Sequence, residues 1–142
     1  MPEAECPFCG LDDPEVTVWA DDQVQALVSR APINGWHVVV VPRVHVERFP
    51  DVPAATAAAV ISAAQRVARA IEEEAHPDGF TYITEDDLTG QGYNLVAHWK
   101  LHVIARFQGD AVRLEWGRGA DPGTAVRAGV ATALRRRVMK DA

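Results

Sequence analysis

Apolar and polar positions along the chain predict about five short strands and two helices. A run of β-branched residues from His37 to Pro42 predicts a buried strand that ends at the proline. Residues 15–29 alternate loosely around Asp21-Asp22, which is typical of a hairpin. Further strands are predicted over Phe80–Thr84 and Asn94–Arg106, with Ala111–Trp116 as another candidate.

Two segments have helical spacing. Apolar residues recur every three or four positions between Pro53 and Ala75, and Pro77-Asp78-Gly79 then ends the segment. A second helix is predicted over Thr124–Met139, within a C-terminal segment of about 122–140. Because no repeat or linker divides the chain, the pattern predicts a single α+β domain over residues 1–142, built on an antiparallel sheet.

Composition and charge restrict the possible partners. The chain has 142 residues, 48% of them hydrophobic, and a net charge of −6, which argues against polymeric nucleic acid or an anionic membrane surface as a partner. A single small nucleotide stays compatible with this charge. The longest apolar run, Val38–Val41, is far below the ~20 residues of a membrane span, and the acidic N-terminus lacks a signal-peptide core. A cytoplasmic location is therefore expected.

The two cysteines of the chain, Cys6 and Cys9, have C-x-x-C spacing. In a reducing cytosol this spacing is compatible with half of a zinc site, with a redox pair, or with two incidental thiols. A thioredoxin-like pair would follow a strand and open a helix, whereas this pair follows a short acidic segment and leads into a turn. A zinc ion needs about four ligands, so two more would have to come from elsewhere in the chain.

The segment Asn94–Arg106 carries the densest set of candidate site residues. If it is one continuous strand, period-two alternation places His98, Lys100 and His102 in a row on one face. Two imidazoles flanking an ammonium are unusual for a protein core. The alternative interpretation is a half-exposed sheet whose polar face meets water.

Three motifs in this order resemble those of the histidine triad (HIT) superfamily, whose members are nucleotide-binding hydrolases and transferases. C-P-F-C at Cys6–Cys9 is similar to the family's C-x-F-C. P-I-N-G-W-H-V-V-V-V-P-R-V-H at Pro32–His45 is similar to P-x-x-P-G-H-x-L-V-I-P-K-x-H, and H-W-K-L-H-V-I-A-R at His98–Arg106 is similar to H-x-H-x-H-V-I-P-R. The resemblance covers most of the chain.

The resemblance implies a zinc-containing member of this superfamily. Its zinc ligands would be Cys6, Cys9, His45 and His98, a closed Cys₂His₂ set with a structural role. The zinc-binding N-terminal segment would span about 1–14. A single HIT-like domain and a homodimer are also implied.

The resemblance also implies catalytic and ligand-binding positions, several of which depart from the family pattern. The middle triad histidine, which attacks the α-phosphorus in active members, is replaced by Lys100, while His102 matches the third histidine and His37 an additional pocket histidine. Ligand contacts are expected from Ser29, Asn94, Trp36 and Arg106. The first three stand where the family has an acidic residue, a glutamine and a glycine.

These departures lead to three hypotheses about function. The first is a zinc-stabilised protein with a nucleotide- or phosphate-type pocket, in which ordinary nucleotidyl-histidine hydrolysis is lost or changed. The second is an active nucleotide phosphoramidase or dinucleoside polyphosphate hydrolase. The third is divergent chemistry on a small metabolite that uses Lys100.

Overall fold

A computed structural model describes residues 2–87, 89–113, 115 and 117–140. Strands and helices in this part are β1 (Thr17–Ala20), β2 (Val24–Val28), β3 (His37–Pro42), α1 (Ala54–Ala75), β4 (Gly79–Ile83), β5 (Leu101–Arg106) and α2 (Thr124–Val138). The strands form one antiparallel sheet in the order β1-β2-β3-β5-β4. The predicted α+β class, with about five antiparallel strands, one long helix and a C-terminal helix, is confirmed.

The chain divides into two compact units. The first ends at Val112 and holds the sheet and α1; the second begins at Arg113 and holds α2, whose last turn carries Arg135–Arg137. These cations suit the negative end of the helix dipole. Across the described part of the chain, no helix is both long and apolar enough to span a bilayer. The single-domain organisation over residues 1–142 stays a prediction.

The main core lies between the sheet and α1. Alternation along β3 and β5 directs every second side chain, such as Val40 and Val103, toward the helix. The buried stripe of α1 follows helical spacing and consists of Val60, Ala63, Ala64, Val67, Ala68 and Ile71. The apolar stripe predicted from the sequence is thus the face that packs on the sheet.

The end of α1 is set by His76. This residue has a φ of 51° and a left-handed conformation, and its N–H donates to the Glu72 carbonyl oxygen at 3.2 Å. Pro77, which follows, cannot continue the helix. Asparagine adopts this conformation readily, so position 76 accepts a histidine-to-asparagine change at little cost.

We expect Ile71→Ala to lower the free energy of unfolding by about 2–5 kcal/mol, since it leaves a cavity beneath α1. Ile61→Ala is the control, because it makes the same change on a side chain of α1 that is 49% exposed. We expect it to lower the free energy of unfolding by less than about 0.5 kcal/mol. Urea unfolding of both variants measures the difference. Equal losses would contradict the assigned buried face.

The predicted long strand over Asn94–Arg106 is wrong in its first half, since β5 begins only at Leu101. In residues 94–100 the His98 N–H donates to the Val96 carbonyl oxygen at 2.8 Å, and Lys100 bonds to Asn94 and Val96, while the Trp99 N–H donates to the Val46 carbonyl oxygen. These contacts replace a sheet ladder. Likewise, no strand forms at 111–113 or 115, while Leu114 and Trp116 of that prediction lie outside the described residues.

The face of the sheet opposite α1 is covered in part by the N-terminal segment. Phe8 and Leu11 pack against Leu27, Val39 and Val41, which form a second, smaller apolar cluster. The side chain of Gln25 in β2 also donates to the Phe8 carbonyl oxygen at 3.2 Å. The C-x-x-C segment is therefore held against β2 and β3.

Candidate functional site

Four metal-ligating side chains converge where the N-terminal segment meets the sheet. The ligand atoms of Cys6, Cys9, His45 and His98 all lie within 4.8 Å of one another. The Cys6 sulfur is 3.3 Å from Nδ1 of His98, and the Cys9 sulfur is 3.2 Å from Nδ1 of His45. His45 follows β3 and His98 precedes β5, so three distant parts of the chain meet here.

Both imidazoles of this cluster present Nδ1 to the sulfurs. Nε2 of His98 donates to the Pro42 carbonyl oxygen at 2.9 Å, and Nε2 of His45 lies 3.5 Å from Oε1 of Glu47. A histidine that ligates through one nitrogen commonly gives its other N–H to an oxygen in this way. The two contacts therefore leave Nδ1 of each ring available as a ligand.

Burial is the largest influence on the protonation states of the cluster. Burial lowers the pKa of His98, which favours the neutral imidazole that a metal requires. Burial and the neighbouring Cys6 sulfur raise the pKa of Cys9 to about 11, since two adjacent thiolates repel one another. A cation between the sulfurs would remove this penalty. Two thiols and two imidazoles are a suitable donor set for a closed tetrahedral zinc site.

His37 and His102 form a second cluster on the same face of the sheet. Nε2 of His37 lies 2.8 Å from Nδ1 of His102. The neighbouring strands β3 and β5 hold the two rings, in a register that places His37 opposite Ile104. The Tyr93 ring stands 5.4 Å from the His102 ring, and its hydroxyl donates to the Ala31 carbonyl oxygen at 2.9 Å.

Both histidines of this pair are neutral near pH 7. Burial lowers the pKa of His37. Burial, reinforced by nearby His37 and Lys100, lowers the pKa of His102 to about 4. The pair therefore offers hydrogen-bonding groups without positive charge.

Lys100 is a buried cation with its own set of acceptors. Its side chain is almost inaccessible, and Nζ donates to the Val96 carbonyl oxygen at 2.7 Å and to Oδ1 of Asn94 at 3.1 Å. The Phe8 ring lies 5.9 Å from Nζ. Burial lowers the pKa of Lys100 to about 8, against the opposing effect of Cys6 and Glu85.

Arg106 is engaged away from these two clusters. Its guanidinium makes a two-bond ion pair with Asp110, at 2.7 and 2.8 Å, and donates to the Thr81 hydroxyl at 3.0 Å. Bidentate pairs of this kind fix both side chains. They hold the pKa of the Asp110 carboxyl well below its usual range.

We expect Asp110→Asn to lower the melting temperature at pH 7, because it removes the ion pair. A carboxyl whose pKa is depressed by folding stabilises the protein above its unfolded pKa of ~3.9 and loses that effect as the pH falls further. The difference in melting temperature should therefore shrink progressively as the pH falls below about 4 and should persist in part at about pH 3, because the folded-state pKa of Asp110 is far below its usual range. Asp51→Asn, in an exposed pair with Arg48, is the control and should show little change. Parallel curves for wild type and Asp110→Asn would contradict the assignment.

A comparison with known protein families decides the identity of this fold. The family model described as the HIT domain matches residues 11–109. The chain belongs to the HIT domain family.

Individual HIT proteins resemble the chain over most of its length. "Protein hit" of Bacillus subtilis is 29% identical over 121 residues, which cover 82% of this chain and 81% of that protein. A crystal structure of a HIT family member from the same organism has a TM-score of 0.80 at 25% identity, covering 94% of this chain and 96% of that one. A Zn-bound histidine triad family protein from Mycobacterium smegmatis has a TM-score of 0.69 at 29% identity, covering 84% and 86%.

Within the HIT domain, the structure brings together only part of the expected ligand-binding set. Asn94 reaches Lys100, whereas Arg106 is paired with Asp110. Ser29 and Trp36 make backbone contacts: the Ser29 N–H donates to the His37 carbonyl oxygen at 2.9 Å, and the Trp36 carbonyl oxygen accepts from the Ala105 N–H at 3.2 Å. The predicted single row of His98, Lys100 and His102 is divided, because His98 turns to the cysteines and His102 to His37.

Three residues at the site were not predicted from the sequence. Phe8 lies against both His98 and Lys100, with its ring 5.7 Å from the His98 ring. An aromatic residue between two cysteines could have suggested such a role. Asn34 and Tyr93 bond to backbone carbonyl oxygens that are 71 and 62 residues away in sequence, and no local pattern indicates these contacts.

Proposed function

We propose that the chain is a zinc-stabilised HIT protein whose pocket binds a nucleotide or another phosphate-type anion, and in which ordinary nucleotidyl-histidine hydrolysis is lost or changed. HIT family proteins bind nucleotides or phosphates. The observation that carries the proposal is Lys100, which we assign to the middle position of the triad. Its amine is buried and bonded to two oxygens of its own chain.

A nucleophile must direct a lone pair at the phosphorus atom. The nitrogen of Lys100 instead donates its hydrogens to Val96 and Asn94, while Phe8 lies beside it. Attack would require these contacts to break and the amine to turn outward. We therefore assign Lys100 to charge and positioning, with His102 as the group that faces the ligand and His37 as its hydrogen-bond partner.

Zinc would have a structural role in this account. The four proposed ligands, Cys6, Cys9, His45 and His98, fill a tetrahedral coordination shell and leave no position for water or substrate. The ion would join the N-terminal segment to the loops before β5 and after β3. That junction also carries Phe8, which packs beside Lys100.

The proposed ligand is a small molecule, because a net charge of −6 does not favour polymeric nucleic acid or an anionic membrane surface. We also propose a cytoplasmic location for the protein.

We test the pocket by calorimetric titration of AMP into the wild type and into His102→Ala. Saturable binding is expected in the wild type, with at least about tenfold weaker binding in the variant, which loses a hydrogen bond to an anion. His76→Asn changes a histidine at the end of α1 and should bind like the wild type. Absence of wild-type binding to AMP and to inorganic phosphate would overturn the proposed pocket.

We propose a homodimer that pairs through the helix predicted over 53–75, which is α1, and through the edge of the sheet. β4 lies at one edge, and its Phe80 and Tyr82 rings stack 5.8 Å apart with Tyr82 half exposed. An unpaired edge can continue its ladder into the same edge of a second copy. Light scattering at a protein concentration of roughly tens of micromolar should give a mass twice that of one chain. A monomer mass would contradict this assembly.

A further inference from the structure

The positions of the protons in the His37–His102 pair follow from a backbone donor. The Ile33 N–H lies 3.1 Å from Nδ1 of His37. A backbone amide nitrogen can only donate, so Nδ1 of His37 must accept and carries no proton. A neutral imidazole then holds its proton on Nε2. This nitrogen is the one that meets His102.

The same reasoning extends to His102. Since Nε2 of His37 is the donor across the 2.8 Å contact, Nδ1 of His102 is the acceptor. The proton of neutral His102 therefore sits on its own Nε2. Within the described residues, no side chain or backbone group hydrogen-bonds this Nε2–H.

Asn34 holds the loop that supplies the decisive N–H. Its Oδ1 accepts from the Trp36 N–H at 2.9 Å, which leaves Nδ2 to donate to the Ala105 carbonyl oxygen at 2.8 Å. Ala105 lies in β5, next to the residue that pairs with His37. The one side chain thus ties the loop before β3 to the neighbouring strand.

We propose that Asn34 is a positioning residue that, through the Ile33 N–H, fixes the protons of His37 and His102 so that the pocket presents one neutral N–H donor. The ligand that matches this donor is an oxyanion, such as a phosphate or carboxylate, whose oxygen accepts without having to give up a proton. The proton arrangement follows from the ligand-free geometry. Only the identification of the ligand as an oxyanion rests on the proposed function.

The test is nitrogen NMR of the full chain labelled with ¹⁵N in histidine, recorded without ligand near neutral pH. In the wild type, Nδ1 of both rings should resonate as unprotonated nitrogen and Nε2 as protonated nitrogen. A proton on Nδ1 of His37, or an imidazolium at His102, would overturn the proposal. This spectrum decides the question even where a variant fails to fold.

Asn34→Ala then tests the positioning role. Loss of both amide contacts should change His37 from a single tautomer to a mixture of two. The chemical shift of its Nδ1 should then lie between the values of a protonated and an unprotonated nitrogen. Gln108→Ala, which removes an exposed amide, is the matched control and should give the wild-type spectrum. A folded Asn34→Ala protein with wild-type nitrogen shifts would overturn the role of Asn34.

Titrations with inorganic phosphate and with AMP distinguish a failure of the proposed function from a failure of the proposed proton arrangement. We expect up to about tenfold weaker phosphate binding in Asn34→Ala, equivalent to one misaligned hydrogen bond. If the wild type keeps its single tautomer but binds neither probe, the proposed function fails while the proton arrangement stands. Equal phosphate affinity in wild type and variant, with the tautomer changed, would overturn the oxyanion assignment.

Discussion

Cys6→Ser is expected to reduce bound zinc to well below one ion per chain and to destabilise the protein by several kcal/mol. Structural zinc contributes about 10–16 kcal/mol to the folding of zinc-finger peptides. This chain also has a core beneath α1, so part of the fold should persist without the metal. The loss should be largest in the N-terminal segment, where Phe8 and Leu11 depend on the anchor.

Metal analysis and thermal melting of the same samples test this expectation. His45→Ala should reproduce both effects from the other side of the cluster, because His45 lies 3.2 Å from the Cys9 sulfur. His76→Asn removes a histidine outside the cluster and serves as the control for both measurements. Wild-type protein from zinc-replete medium that holds no stoichiometric zinc would refute the site.

Wild-type protein is expected to hydrolyse adenosine phosphoramidate no faster than the compound hydrolyses in buffer without protein, whereas Lys100→His should restore measurable turnover. Removal of a catalytic nucleophile costs up to about 10⁶-fold in rate in well-studied hydrolases. In the wild type, the amine of Lys100 donates to Val96 and Asn94 and is not directed at a ligand. An imidazole at this position would supply the family's nucleophile, although Asn94 would then lose its present partner.

Lys100→Ala is the control for this experiment, since it removes the amine without adding an imidazole. It should be as inactive as the wild type and less stable, because Oδ1 of Asn94 and the Val96 carbonyl oxygen lose a buried donor. Wild-type turnover that Lys100→Ala abolishes, with an acid-labile nucleotidyl adduct on the protein, would show that Lys100 is the nucleophile. Such a result would favour an active hydrolase over the proposed binding protein.

The sheet and α1 could be predicted from the sequence because their signals are local. The β-branched run at His37–Pro42 and the helical spacing before Ala75 each indicate one structure over the length of one element. The error at residues 94–100 has a physical cause. There, Lys100 and His98 bond to nearby carbonyl oxygens, and these contacts override the strand propensity of the segment.

The residues of the site are far apart in sequence, so only those that belong to recognisable motifs could be predicted. C-x-x-C spacing alone leaves a redox pair and incidental thiols open, because His98 is 92 residues from Cys6 in sequence. The resemblance to HIT proteins supplied the two missing candidates, and the structure places all four ligand atoms together. The role of Asn34 depends on a contact with Ala105, for which the sequence carries no local signal.

The central claim is that this HIT protein retains a ligand pocket while the family's ordinary hydrolysis is lost or changed. A ³¹P NMR time course of wild-type protein with adenosine phosphoramidate tests both parts in one sample. We expect the ligand signal to shift or broaden on addition of protein, through contact with His102, and no AMP signal to grow. Growth of AMP at a rate proportional to protein concentration, or a ligand spectrum unaffected by the protein, would contradict it.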